Sequence, residues 1–158
     1  MRVLGIDPGY DRLGLAVLEG DPSKPNLVWS ECETPPAGLP HERLAAVYAA
    51  VSEAISRHAP DVLAIETLFF SANKKSALGV AEARGAILAA AGAAGLRVQE
   101  YSPAHVKLAV TGHGSADKAA IARMIPHLVA LTSKKRLDDE LDAIAVGIAG
   151  LADRQHLR

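Results

Sequence analysis

Residues 2–18 read RVLGIDPGYDRLGLAVL, two apolar runs separated by a charged turn. Arg2–Ile6 is a short strand pattern, ended by Asp7-Pro8-Gly9, residue types that favour a turn over continued extension. Leu13–Leu18 resumes the apolar pattern after a few polar residues, which predicts a hairpin. A second turn over Asp21–Pro25 and a third strand over Leu27–Cys32 extend the hairpin into a meander. Thr34–Pro40 carries three prolines and a glycine and reads as a connection between elements.

Helical periodicity then takes over. Leu44, Val47, Tyr48, Val51 and Ile55 form one apolar stripe, which His58-Ala59-Pro60 terminates. Asp61–Ile65 is a short buried-strand pattern ending on Glu66. Ser76–Gly92 is an Ala-rich helix, and Arg97–Tyr101 is a fifth strand. Ser102 and Pro103 supply an N-cap and a first helical position. A further helix is expected over Asp117–Leu131, with Pro126 as a kink or an end. The last helix begins near Asp138 and turns Leu141, Ile144, Ala145, Ile148 and Leu151 inward. Three meandering strands joined to a βαβ pair predict a mixed five-stranded sheet flanked by helices, an α/β architecture forming a single domain over 1–158. This element order matches the ribonuclease H-like fold.

The chain has 158 residues, 49% of them hydrophobic and 22% charged, which excludes a disordered polyelectrolyte. The single cysteine, Cys32, cannot form an internal disulfide, and no basic and apolar leader opens the chain, so a reducing, cytoplasmic setting is expected. The most apolar stretch, around Ala86–Gly95, is too short to span a bilayer. A formal net charge of −1 argues at first against a polyanionic partner. The charges are segregated, however. Residues 1–70 hold five Lys/Arg against ten Asp/Glu, residues 71–136 hold ten against three, and residues 137–158 hold two against five. A basic middle between acidic ends leaves room for a phosphate-binding face, because local potential steers a ligand.

Three acidic positions fall where this architecture gathers them. Asp7 ends the first strand, Glu66 ends the fourth, and Asp142 interrupts the apolar stretch LDAIAVGIAG with Asp139 three residues before it and Asp138 four before. Each acid taken singly is explained by a turn, a strand end or a helix dipole. Together they form the oxygen-rich set that a hard divalent cation requires, and two such ions suit in-line phosphoryl displacement. Phe69 and Phe70 with Lys74 and Lys75 follow Glu66, a combination suited to base stacking and phosphate neutralisation. Lys107, the loop Thr111-Gly112-His113-Gly114-Ser115 and Lys118 form a second basic segment. The six histidines show no HxxxH or HxH spacing that would signal a zinc site.

The segments GIDPGYDRLGLAV (5–17), ETLFF (66–70), NKKSALGVAEARGAI (73–87), YSPAHVKLAVTGHGSADK (101–118) and DDELDAIAVGIAG (138–150) resemble the RuvC family of bacterial Holliday-junction resolvases. The resemblance implies a homodimeric, Mg²⁺-dependent endonuclease, with Mn²⁺ as an alternative ion. Such an enzyme nicks two strands of a four-way DNA junction symmetrically in recombination and repair, and a complex with a branch-migration helicase goes with it. By motif position the family's metal-binding acids fall on Asp7, Glu66, Asp139 and Asp142, with two ions per site, and Asp138 stays open as a substitute for Asp139. The functional lysines fall on Lys107 and Lys118, and the junction-contacting aromatic on Phe69. Ala119-Ala120 departs from the family's polar residue after Lys118. Two other readings use the same residues. One is a nucleotide-phosphate loop of the actin–hexokinase type at Asp7–Gly14, which normally needs two domains; the other is a non-catalytic junction binder with structural acids. A smaller resolvase type, YqgF, shares only the opening block.

Overall fold

Side chains alternate along β1 (Arg2–Asp7), so Val3 and Gly5 face one side of a sheet and Leu4 and Ile6 the other. In the computed structural model, which describes residues 1–68 and 74–153, β1 is the central strand of five. Its neighbours are β2 (Leu13–Asp21) and β4 (Val62–Glu66), with β3 (Lys24–Glu33) and β5 (Arg97–Tyr101) at the edges, giving the order β3-β2-β1-β4-β5. The meander pairs antiparallel, and β4 runs parallel to both β1 and β5. This is the mixed α/β sheet expected from the sequence.

Five helices complete the described chain: α1 (Pro40–His58), α2 (Lys74–Ala93), α3 (Pro103–Thr111), α4 (Lys118–Leu128) and α5 (Asp138–Ala152). α1 and α2 cover one face, where Val47, Val51, Ile87 and Ala91 pack on Leu4, Ile6, Leu15, Val17, Leu63 and Ile65. α5 lies on the other face with α3 and α4 beside it, over Val3, Ala16, Leu18, Val62 and Ala64. Because β4 is covered on both faces, it reads as the unbroken run VLAI rather than as an alternating pattern.

Two glycines let α5 approach the sheet backbone directly. A Cβ on Gly5 would sit 2.4 Å from the Ala143 carbonyl oxygen, and one on Gly14 would sit 1.9 Å from that of Asp139. The start of α5 is therefore laid against the ends of β1 and β2, which sets how near its acids lie to that end of the sheet. Among the described residues no helix is long and apolar enough to cross a membrane.

Several element ends differ from the sequence reading. The second turn is tighter than Asp21–Pro25, because Asp21 Oδ1 accepts from the Ser23 N–H (2.8 Å) and hydroxyl (2.6 Å), and β2 and β3 pair up to that point. A bulge at Val28, between the pairs Val17↔Trp29 and Leu18↔Leu27, lets β3 keep its register. α1 begins at Pro40, four residues before its stripe, with Glu42 Oε2 accepting from the Leu39 N–H at 2.9 Å. α4 keeps Pro126 within its last turn and stops at Leu128, short of the expected Leu131. The expected cap of α3 is present, with Ser102 Oγ accepting from the His105 N–H at 3.2 Å.

Candidate active site

Asp7 and Glu66 reach the same end of the sheet because β1 and β4 are parallel neighbours with Ile6 opposite Ile65. The close packing of α5 on Gly14 brings Asp139 over that end, and Asp142 follows one turn later on the same side of the helix. A hollow of about 180 Å³ opens there between α3, α4 and α5. Glu66, Lys107, Lys118 and Asp142 line it, above a floor that includes Val106, Ile121 and Val146. Five elements, β1, β4, α3, α4 and α5, thus bring the expected acids and both expected lysines to one end of the sheet.

The electrostatics of this place are unusual for a folded surface. Burial pushes the Asp7 carboxyl up to about 7, and the charges of Asp142, Asp139 and Glu66 add to the effect while Lys118 opposes it. Glu66 is raised as well, first by burial and then by Asp142, with Lys107 and Lys118 acting the other way. Lys118 Nζ donates to Asp142 Oδ2 at 2.7 Å, and this bond holds the ammonium pKa above its ordinary value. Arg12 Nε lies 3.0 Å from Asp139 Oδ2. That contact is an ion pair without hydrogen-bond alignment, so the buried Asp139 Oδ2 has no hydrogen-bond partner.

These features bear on whether the residues suit a metal. As their side chains lie, no three acidic, histidine or cysteine groups among the described residues converge enough to grip an ion. Asp139 is turned toward Arg12 and Asp142 toward Lys118. The donor set is nonetheless four carboxylates, Asp7 is buried among three like charges, and one buried carboxylate oxygen is unbonded. Such a set fits a hard divalent cation, whose charge compensates what the two cationic side chains leave uncompensated.

The other expected residues are distributed as follows. Asp138 is exposed at the start of α5 and lines a neighbouring hollow with Lys118, while Asp139, half-buried, is the one whose charge bears on Asp7. Phe69 and Phe70 lie outside the described residues, as do the side chains of Lys74 and Lys75. The loop 111–115 does not line the hollow. Gly112 closes α3 at φ 77°, and Thr111 Oγ1 accepts from the His113 N–H, which makes this loop a helix C-cap with an exposed His113. Cys32 sits opposite Gly14, where burial and Asp139 push its thiol pKa up.

Two residues at the site were missed by the sequence reading. Arg12 is the nearest cation to Asp139. Arg84 of α2, 8% exposed, donates from Nη1 to the Glu66 carbonyl oxygen at 2.9 Å and from Nη2 to Glu100, tying α2 and β5 to the end of β4. Its signal was available: a charge interrupting an Ala-rich helix carries the same weight as Asp142 interrupting an apolar one.

Comparison with known proteins finds relatives over nearly the whole chain. A family model described as "Crossover junction endodeoxyribonuclease RuvC" matches residues 3–150. The protein of that name from Moorella thermoacetica is 44% identical over 149 residues, covering 94% of this chain and 89% of its own. The solved structure of Thermus thermophilus RuvC in complex with a Holliday junction substrate superposes with a TM-score of 0.87 at 36% identity, covering 94% of this chain and 92% of that one. The yeast mitochondrial Holliday junction resolvase matches at 13% identity with a TM-score of 0.71, covering 94% and 78% respectively, a likeness of fold.

Proposed function

The chain belongs to the RuvC family of crossover junction endodeoxyribonucleases, and we propose that the cluster of Asp7, Glu66, Asp139 and Asp142 is the centre at which it hydrolyses strands of a four-way DNA junction. The observation that carries this assignment is the gathering of half-buried Asp7 and three other carboxylates at one end of the sheet by parallel β1 and β4 and by the packing of α5 on Gly14, a crowding that also pushes the Asp7 carboxyl up to about 7. Such repulsion is costly in a resting fold and is relieved where cations bind.

The four acids would hold two Mg²⁺, or Mn²⁺ in their place. When bound, these ions supply positive charge against the scissile phosphodiester and its leaving oxygen. Asp7 contributes its position, since it projects from the central strand between the acids of β4 and α5. Lys107 and Lys118 are the cations that meet an incoming phosphate in the hollow. Lys118 is shared, because its ammonium answers Asp142 in this structure and a phosphate competes for it. Arg84 holds the backbone of Glu66 in place from behind. Phe69, Lys74 and Lys75 complete the DNA-contacting set on sequence grounds. Paired nicks on two strands require two such centres, so the working unit is a homodimer.

Incubating Asp7→Asn with a synthetic four-way junction and Mg²⁺ tests the assignment. Cleavage falls to background while the variant stays folded by circular dichroism. Undiminished cleavage by the folded variant overturns the assignment.

A further inference from the structure

Glu140, one of the two residues between Asp139 and Asp142, points away from the site and is the most deeply buried carboxylate among the described residues. Glu140 is 2% exposed. Its Oε1 accepts from Ser30 Oγ of β3 at 2.6 Å and lies 3.2 Å from Arg136 Nε and 3.3 Å from Lys134 Nζ. The network extends further. Lys134 Nζ also donates to the Ser30 carbonyl oxygen, Arg136 Nε to Ser30 Oγ, and Arg136 Nη1 and Nη2 to the Thr132 carbonyl and hydroxyl. One buried carboxylate thus joins β3, the connection before α5 and the first turn of α5.

Burying a charge is expensive unless geometry repays the lost hydration, and stability alone seldom favours an ion cluster over apolar packing. Something else in α5 accounts for its presence. α3 and α4 each start on a side-chain cap, Ser102 and Asp117, whereas the N-cap of α5 is Leu137, which offers none. The helix that carries two of the four site acids therefore lacks the usual lock on its first turn. Glu140 stands in that turn, about 100° around the axis from Asp139. Fixing Glu140 to β3 fixes the rotation of the helix, and rotation decides whether Asp139 and Asp142 face Asp7.

We propose that Glu140, held by Ser30, Arg136 and Lys134, is a positioning residue that sets the rotation of the first turn of α5 and so aims Asp139 and Asp142 at the site. The inference rests on the assignment of those two acids as metal-binding residues. Partners behind a metal ligand commonly change affinity by about 10–100-fold when removed. Loss of Glu140 acts in the same range, without removing any group that contacts ion or DNA.

Mn²⁺ titration of the DNA-free protein, read by calorimetry on samples shown folded by circular dichroism, is the test. Glu140→Ala weakens Mn²⁺ binding by about 10-fold or more, and Glu140→Gln, whose amide oxygen still accepts from Ser30, recovers part of the loss. Ser30→Ala, which deletes one hydrogen bond, shifts the affinity in the same direction by a smaller factor and serves if Glu140→Ala does not fold. Lower thermal stability with Mn²⁺ affinity within about twofold of the native chain in the folded variants overturns the proposal and leaves Glu140 a structural anchor. A native chain that binds no Mn²⁺ overturns instead the assignment of the acids, and the inference with it.

Discussion

Replacing Asp7 by Asn separates the two roles of the site, because it should strengthen the ion-free fold while destroying the enzyme. The Asp7 carboxyl moves from an ordinary 3.8 to about 7 on folding. A raised carboxyl pKa means that the folded chain holds this proton more tightly than the unfolded chain. Its stabilising contribution is complete below the unfolded value and is lost as pH rises through the folded one. At pH 8 the ionised group therefore works against the fold. Roughly three pKa units at about 1.4 kcal/mol each set a ceiling of about 4 kcal/mol, and solvent in the adjoining hollow screens part of it, leaving about 2–4 kcal/mol. Asn keeps the shape and removes the charge. For a chain of this size that corresponds to a rise in Tm of roughly 5–10 °C. The assay is differential scanning fluorimetry in EDTA at pH 8 and at pH 4.5, repeated with Mg²⁺ at pH 8. Asp7→Asn melts higher at pH 8 in EDTA, the gap shrinks at pH 4.5, and Mg²⁺ raises the native chain far more than the variant. A variant no more stable than the native chain at pH 8 in EDTA would refute the argument that Asp7 sits in an uncompensated cluster.

Other consequences follow from single contacts. Arg84→Met removes the donor behind the Glu66 carbonyl and lowers the single-turnover cleavage rate about 10–100-fold, with junction affinity near that of the native chain; an equal loss of affinity would place Arg84 in DNA binding instead. Lys107→Ala makes the salt dependence of junction binding shallower by about one ion released, measured by fluorescence anisotropy over a range of NaCl concentrations, and an unchanged slope removes it from the phosphate contacts. His58, stacked on Trp29 at 4.8 Å with its Nε2 buried and unbonded, is held below its ordinary pKa by burial, Arg57 and Arg2. Its neutral form belongs to the fold, so its contribution is full above about pH 6.5 and is lost as pH falls through the lowered value. The stability gap between the native chain and His58→Gln narrows toward pH 5 in urea titrations, and a constant gap refutes this.

The sheet was legible because β1, β2 and β4 differ from their surroundings in the plainest way, as apolar runs between turn residues. The bulge at Val28 was not, since Leu27 and Val28 are both apolar and either could have faced the core. The acids were legible as a set: Asp142 stands out in an apolar helix, and parallel strands bring Asp7 and Glu66 to one end. Arg84 acts on a carbonyl oxygen, and backbone acceptors carry no sequence signature. Glu140 carried no signal of its own beside Asp138 and Asp139, because its burial depends on β3, far away in sequence. The basic middle segment left room for a phosphate-binding face without saying which of its cations would share one. Lys107 and Lys118 do line the hollow, but Arg84 is buried and Arg136 is spent on Glu140. Charge segregation along the sequence therefore says which segment is basic, and the fold decides which of its cations share a face.

Nucleotide-resolution mapping of cleavage on a four-way junction tests the central assignment most directly. With Mg²⁺ the native chain gives paired nicks at symmetry-related positions on two strands of like polarity. EDTA abolishes them, and so does each of Asp7→Asn, Glu66→Gln, Asp139→Asn and Asp142→Asn in folded protein. Nicks that persist in EDTA, or at full rate in the folded Asp142→Asn variant, would contradict a cation-dependent centre built from these four carboxylates.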